Sequence, residues 1–296
     1  GKAPFFLYFA SLAPHAPYQA PQSVIDQYKN VPDKLRRTYM AMITVLDTQV
    51  GRVVAELDRK GLRDNTIILF ASDNGGATSG LFAQGAKSNE ERRTEEGGIG
   101  QGEKAPASNA PFSGGKGSLR EGGVRVPAFV NWPAKLKPRV VSEPLHMVDV
   151  MPTLLALAGG KGSADHPFDG KDMWQTLSDG APSPNEDILI NVEAFRGAVR
   201  KGDWKLLRIA LLPGKTLLFN IATDPGETTN VADQNPEIVR DLDARLLAYA
   251  KQQEPSLWIK AQPAFVGVQG KTILDPDFDI DDSGLPKEKM RLPDSK

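Results

Sequence analysis

The stretch Thr66-Ile67-Ile68-Leu69-Phe70-Ala71-Ser72-Asp73-Asn74-Gly75-Gly76 decides how the rest of the chain is read. Five apolar residues in a row, Ile67 to Ala71, are too few to cross a bilayer and rich in strand formers, so they predict a strand buried on both faces. It ends in oxygen donors. Asp73 offers a carboxylate and Asn74 an amide carbonyl, at the carboxyl end of the strand, where open α/β sheets place their sites. Gly75 and Gly76 then allow a tight turn. Two readings stand side by side: Asp-Asn-Gly is ordinary turn chemistry, and the same oxygens suit a hard divalent cation.

Upstream, Phe5-Phe6-Leu7-Tyr8-Phe9-Ala10-Ser11 predicts a second fully buried strand. The loop after it, Leu12-Ala13-Pro14-His15-Ala16-Pro17-Tyr18, sets one of only three histidines between two prolines that fix the local backbone. A loop histidine is commonly incidental; its place after a strand end favours a functional one. Between the two strands, Leu35, Tyr39, Met42, Ile43, Leu46, Val50, Val53 and Leu57 recur at steps of three and four, the pattern of a long amphipathic helix with Asp33 as N-cap and Gly61 as stop. Strand, helix and strand together predict a βαβ crossover with parallel strands. His15 and the Asp73-Asn74 pair would then share one rim.

Downstream, residues 80–113 have no sustained period and carry a charge run from Glu90 to Glu96, which reads as a long loop with a solvated surface. Gly114-Gly115-Lys116-Gly117-Ser118-Leu119-Arg120-Glu121-Gly122-Gly123-Val124-Arg125-Val126-Pro127 follows. Glycines on both sides of Lys116 allow the backbone to approach an anion, with the ammonium as a point charge, although the spacing is not that of a P-loop. Ala128 to Trp132 predicts a strand, and Asp149 to Ala158 a short helix. Beyond Pro182-Ser183-Pro184, the segments Ile188 to Phe195, Ala198 to Arg200, Trp204 to Ile209 and Leu217 to Ile221 predict an antiparallel sheet. One helix covers it, capped by Asn235, started by Pro236 and lined by Ile238, Leu242, Leu246 and Tyr249.

Bulk composition narrows the function classes. Lys and Arg number 36 against 37 Asp and Glu, so there is no global field to draw nucleic acid or an acidic membrane. No apolar run approaches the ~20 residues of a membrane span. The absence of cysteine removes disulfides, thiolate metal sites and a Cys nucleophile. The chain opens on Gly1 and enters an apolar run almost at once, so a segment of a longer protein is expected.

Taken in order, several blocks resemble a sulfatase of the arylsulfatase type, in the alkaline-phosphatase-like superfamily. They are Pro4 to Tyr8 with Pro14 to Pro17, Ser72 to Gly76, Gly115 to Ser118 with Glu121 to Pro127, His146 to Leu155, Gly202 to Leu206, and Asp224 to Asn230. The resemblance implies an α/β fold. Residues 1–180 would be part of a large mixed or parallel sheet flanked by helices and 181–253 a small C-terminal α+β domain with an antiparallel sheet and one packed helix; 254–296, Pro- and Asp-rich and beyond the resemblance, read as an extended tail. It implies a calcium ion with Asp73 and Asn74 as two of its four protein ligands. It also implies His15 and Lys116 as catalytic residues contacting the sulfate group or its leaving oxygen, and a sulfated small molecule or carbohydrate as substrate. Family members are mostly exported or lysosomal.

Departures limit this reading. The family's nucleophile is a formylglycine made within Cys/Ser-x-Pro-x-Arg, and the one near-match, Ser142-Glu143-Pro144-Leu145-His146, ends in His. The nucleophile and the other calcium ligands are expected upstream of Gly1, and the segment alone is expected to be inactive. Two rivals remain: a phosphate or phosphonate ester hydrolase of the same superfamily, and a non-catalytic binding module.

Overall fold

The structure is a computed structural model and describes residues 3–77, 106–193, 196–210 and 214–253. A short helix α1 (Gln22–Ile25) leads into α2 (Lys34–Arg59), the long amphipathic helix that the periodicity predicts. Asp33 caps it by accepting the Arg36 amide at 2.9 Å. Gly61, at φ +64, ends it in the left-handed region where glycine meets no Cβ penalty.

β1 (Ile68–Ala71) takes a different partner from the one expected. It pairs antiparallel with β2 (Ala128–Asn131) in a two-stranded sheet, with Phe70 opposite Phe129 and their rings stacked at 4.9 Å. Its residues are half-buried rather than buried on both faces. The Phe5 to Ser11 segment forms no strand: it is irregular, with Phe6 83% and Tyr8 81% exposed. The predicted parallel crossover is therefore corrected. An apolar run specifies strand chemistry but not a neighbour, and the described residues give this run none to pair with. The loop expected over 80–113 lies outside the described residues up to 105, as does the tail over 254–296; residues 106–113 are irregular.

A four-residue helix α3 (Glu121–Val124) precedes β2. It is followed by α4 (Val150–Leu157) and α5 (Trp174–Ser178). Asp149, fully buried, organises this part: its carboxylate accepts the His146 and Lys171 amides and the Asn185 side chain, at 2.7–2.9 Å. A buried carboxylate with three donors is satisfied, so Asp149 is accounted for as structure.

The C-terminal region is a four-stranded antiparallel sheet in the order β3 (Ile188–Val192), β4 (Arg196–Lys201), β5 (Trp204–Ile209) and β6 (Lys215–Asn220), covered by α6 (Pro236–Gln252). Strand alternation gives the sheet two faces. On one, Val199, Leu206 and Leu218 pack with Leu242 and Leu246 of α6. On the other, Ala198, Leu207, Phe219 and Ile221 meet Leu119, in the segment between β1 and β2. The second face also carries Arg200, Lys205 and Phe219 in one cross-strand row. Asn235 stands at the start of α6 without capping it: its amide donates backwards to the Val231 carbonyl at 2.9 Å. The second sheet face therefore looks onto the segment that carries Lys116.

Candidate functional site

Asp73 and Asn74 lie just past the end of β1, with Asp73 exposed and Asn74 half-buried. The pair is locally closed. Asn74 donates its backbone N–H to Asp73 Oδ1 at 2.9 Å and its side-chain Nδ2 to Oδ2 at 2.7 Å, while Ser72 Oγ donates to the Asn74 carbonyl at 2.9 Å. Both side chains stay at the open end of the strand, with the Asn74 amide nitrogen turned onto the Asp73 carboxylate.

Tight backbone packing then docks this turn on the segment downstream. Gly75 N–H donates to the Gly123 carbonyl at 2.9 Å, and Lys116 N–H donates to the Gly76 carbonyl at 3.2 Å. A Cβ on Gly75 would stand 1.8 Å from the Gly122 oxygen, so only glycine allows the approach. Asn109 stitches the same junction: its Oδ1 accepts from Gly76 N–H, and its Nδ2 donates to the Gly76 and Gly114 carbonyls, at 2.9–3.1 Å. Asp73 and Asn74 on one side and Lys116 on the other, more than forty residues apart in the chain, thus sit on two loops held by direct hydrogen bonds. Lys116 itself is half-buried, and Gly117 after it, at φ +85, turns the chain in the left-handed region.

His15 is fixed by its own turn. Its N–H donates to the Leu12 carbonyl at 2.8 Å, and its Nδ1 lies 2.7 Å from the Ala16 carbonyl, which sets the ring direction. The residue is exposed. None of the bonds that join Asp73, Asn74 and Lys116 reaches it, and the crossover that would have placed it on their rim is not the observed topology.

The donor set at Asp73 and Asn74 is oxygen only, which fits a hard cation such as calcium. It is also partial. Calcium takes about six to eight oxygens, two side chains are offered here, and no cluster of three or more His, Asp or Glu able to hold a metal occurs among the described residues.

Three charged residues that sequence reasoning left without a role lie behind the site. Lys205 from β5 is fully buried and reaches Glu121 Oε1 at 2.9 Å and Glu227 Oε1 at 3.0 Å. Glu227 Oε2 accepts the Glu121 N–H at 2.6 Å and the Ser113 hydroxyl at 3.1 Å. A signal for this existed. Lys205 alternates with Leu207 and Ile209 on one face of an otherwise apolar strand pattern, and a lysine in that register must be paired if it is buried. Asn109 gave no comparable signal, since it lies in a stretch that reads as loop.

Comparison with known proteins gives this geometry a family. Residues 2–160 match the family model described as Sulfatase. The chain is 33% identical over 300 residues to Arylsulfatase J of Mus musculus, covering 85% of this chain and 46% of that protein. It is 31% identical to Steryl-sulfatase of Mus musculus, covering 86% and 42%. Among solved structures, Ps i-CgsB in complex with k-i-k-neocarrahexaose matches with a TM-score of 0.72 at 31% identity, covering 86% of this chain and 52% of that one. The chain thus spans about half the length of the curated relatives it matches. No helix among the described residues is long and apolar enough to cross a membrane. With more than half its length inside the matched model, the chain belongs to the sulfatase family.

Proposed function

We propose that the complete protein hydrolyses sulfate esters, and that this chain supplies Asp73, Asn74, Lys116 and His15 to its active site. The observation that carries the proposal is the pair of backbone bonds, Gly75 to Gly123 and Lys116 to Gly76, that join the two loops bearing the cation ligands and the lysine. Asp73 and Asn74 would hold calcium through their side-chain oxygens. Calcium, when bound, supplies positive charge against the sulfuryl oxygens. Lys116 adds a point charge to the same oxygens as negative charge develops on them, which lowers the barrier if the ammonium is held in place beforehand. His15, its ring oriented by the Nδ1 contact with the Ala16 carbonyl, would protonate the departing oxygen or donate a hydrogen bond to it. That assistance matters more for a sugar alcohol than for an acidic phenol.

The nucleophile is not assigned to this chain. No cysteine and no Cys/Ser-x-Pro-x-Arg motif occur in its 296 residues, and the near-match at Ser142 belongs to the segment leading into the Asp149 network. A formylglycine and the remaining calcium ligands are expected from the rest of the protein. Likeness to Ps i-CgsB, whose structure holds a neocarrahexaose, favours a sulfated carbohydrate as substrate.

The test is turnover of matched aryl sulfate and aryl phosphate esters by the complete protein. Asp73→Ala or Lys116→Ala should lower sulfate-ester kcat by about 10²–10³-fold, the range for removing a preorganised charge-stabilising group. Near-normal rates in either variant would sink the assignment, and a preference for the phosphate ester would replace it with a phosphoryl-transfer reading.

A further inference from the structure

We propose that the buried cluster Glu121–Lys205–Glu227 is a positioning device through which the C-terminal sheet fixes the loops of the sulfate-ester site. The proposal rests on the reading above for its link to catalysis. Its structural content stands on three facts.

First, the cluster joins three distant segments. Lys205 is the second residue of β5, Glu121 opens the helix directly after the Lys116 loop, and Glu227 sits in the turn after β6 at φ +53. That unfavoured backbone is held by Asp224, whose carboxylate accepts the Thr228 and Thr229 N–H groups at 2.9–3.1 Å and the Thr228 hydroxyl at 2.9 Å. All three charged side chains are at most 3% exposed.

Second, the cluster grips the site segment at both ends. Glu227 Oε2 holds Ser113, before Lys116, and the N–H of Glu121, after it. The Arg120 guanidinium donates to the Glu227 carbonyl at 2.8 Å and lies over the Phe219 ring. Arg196 at the start of β4 donates to the Gly117 carbonyl at 2.7 Å, next to Lys116 itself. The path to the cation ligands is short: Lys205 to Glu121, along α3 to the Gly123 carbonyl, and across its hydrogen bond to Gly75, the residue after Asn74.

Third, the cluster is poorly suited to a purely stabilising role. Glu121 Oε2 has Arg125 and Arg200 at 3.6 and 3.8 Å, beyond hydrogen-bond length, and Glu227 Oε1 faces Lys205 at 3.0 Å but out of line for a hydrogen bond. Buried charges satisfied this incompletely cost desolvation that apolar side chains of the same volume would not. What they supply is direction, because a charged cluster has one register and an apolar contact has many.

The experiment uses the complete protein and three variants. Glu227→Gln keeps the side-chain shape and removes one charge. Lys205→Met removes the central cation. Leu242→Ala, on the α6 face of the same sheet, serves as a destabilised control that leaves the cluster intact. Amide hydrogen exchange is followed over residues 73–77 and 113–125, alongside kcat, KM and circular dichroism. The expected result is that Glu227→Gln, with native secondary structure, loses about tenfold or more of its protection in those two segments and about tenfold in kcat, with KM little changed. Leu242→Ala should lower the melting temperature without either change. Lys205→Met should follow Glu227→Gln or fail to fold, both of which agree with a buried clamp. Native-like protection and kcat in folded Glu227→Gln overturns the proposal, as does equal loss in Leu242→Ala. If the complete protein turns over no sulfate ester, the functional reading falls, and the exchange measurement still decides whether the clamp holds the loops.

Discussion

Replacing Gly75 by alanine tests the junction on which the site depends. A Cβ at this position would stand 1.8 Å from the Gly122 oxygen, 2.8 Å from its carbonyl carbon and 3.0 Å from Gly123 Cα, all backbone atoms. Ordinary contact begins near 3.4 Å, so the two loops must part by about 1.6 Å. That separation breaks the Gly75 to Gly123 hydrogen bond, in a place where both glycines are buried. An unpaired buried amide costs about 1–3 kcal/mol, and forced overpacking about 1–3 kcal/mol more. We expect a loss near 3–4 kcal/mol in equilibrium unfolding of the complete protein. Because the displaced atoms adjoin Asn74, sulfate-ester turnover should fall by about 10²-fold, the usual consequence of a displacement on the order of 1 Å. Gly51→Ala is the internal control: it lies in α2 with nothing within 4 Å of the added methyl. There, alanine should raise stability by about 0.5–1 kcal/mol and leave turnover unchanged. If Gly75→Ala is within about 0.5 kcal/mol of wild type, the range of an ordinary surface change, the close approach of these loops is wrong.

Two further outcomes follow from the C-terminal region. Leu242, 1% exposed among Val199, Leu206, Leu218 and Leu246, should cost about 2–5 kcal/mol when cut to alanine, measured by denaturant unfolding; a cost below about 1 kcal/mol would mean that α6 is not seated on this face. Tyr249 donates to Asp187, and burial first, then that carboxylate, push its phenol up to about 12 from the ordinary 10.0. A raised folded pKa means that the contribution is fully present below pH 10.0 and is lost as pH climbs through about 12. Two full units would carry about 2.7 kcal/mol, and solvent screening of this half-exposed pair reduces that to about 1 kcal/mol. Unfolding midpoints on either side of this window should show the drop in wild type and its absence in Tyr249→Phe. An equal drop in both would remove Tyr249 as the cause.

Parts of the molecule that are set by local pattern were legible in the sequence. Apolar steps of three and four with Asp33 in front define α2, because one amphipathic face and one cap are enough to specify a helix. The four short strands and α6 were readable for the same reason, with the bounds of β5 unchanged and those of β3, β4 and β6 shifted by up to three residues. Partners were not legible. Ile67 to Ala71 announced a strand, but nothing local says that Ala71 faces Ala128 rather than a residue near Phe9. Phe5 to Phe9 shows the same limit from the other side, since apolar residues state a demand for burial without stating what meets it. At the site, the residue types at Asp73, Asn74 and Lys116 were readable from chemistry, whereas their joining depends on Asn109 and on glycines whose use appears only when two loops touch.

The two faces of the C-terminal sheet divide the work between energy and register. Toward α6 the contacts are aliphatic: Val199, Leu206 and Leu218 against Leu242 and Leu246. Burial there is worth roughly 1.5–3 kcal/mol per side chain and tolerates small slips, because the hydrophobic effect has no direction. Toward the site the same strands present Arg196 to the Gly117 carbonyl, Arg200 to the Glu121 carboxylate, and Lys205 to the carboxylates of Glu121 and Glu227. The fully buried Lys205 pairs tolerate little slip, since unpairing a buried charge costs about 3–5 kcal/mol. If stability were the only demand on this sheet, both faces would be expected to resemble the first. The charged residues set among Ala198, Leu207, Phe219 and Ile221 on the inner face become intelligible when the sheet must hold Lys116 and the Asp73-Asn74 turn at a fixed separation. On that argument the C-terminal sheet is part of the proposed site, although none of its strands carries a residue proposed to touch the substrate.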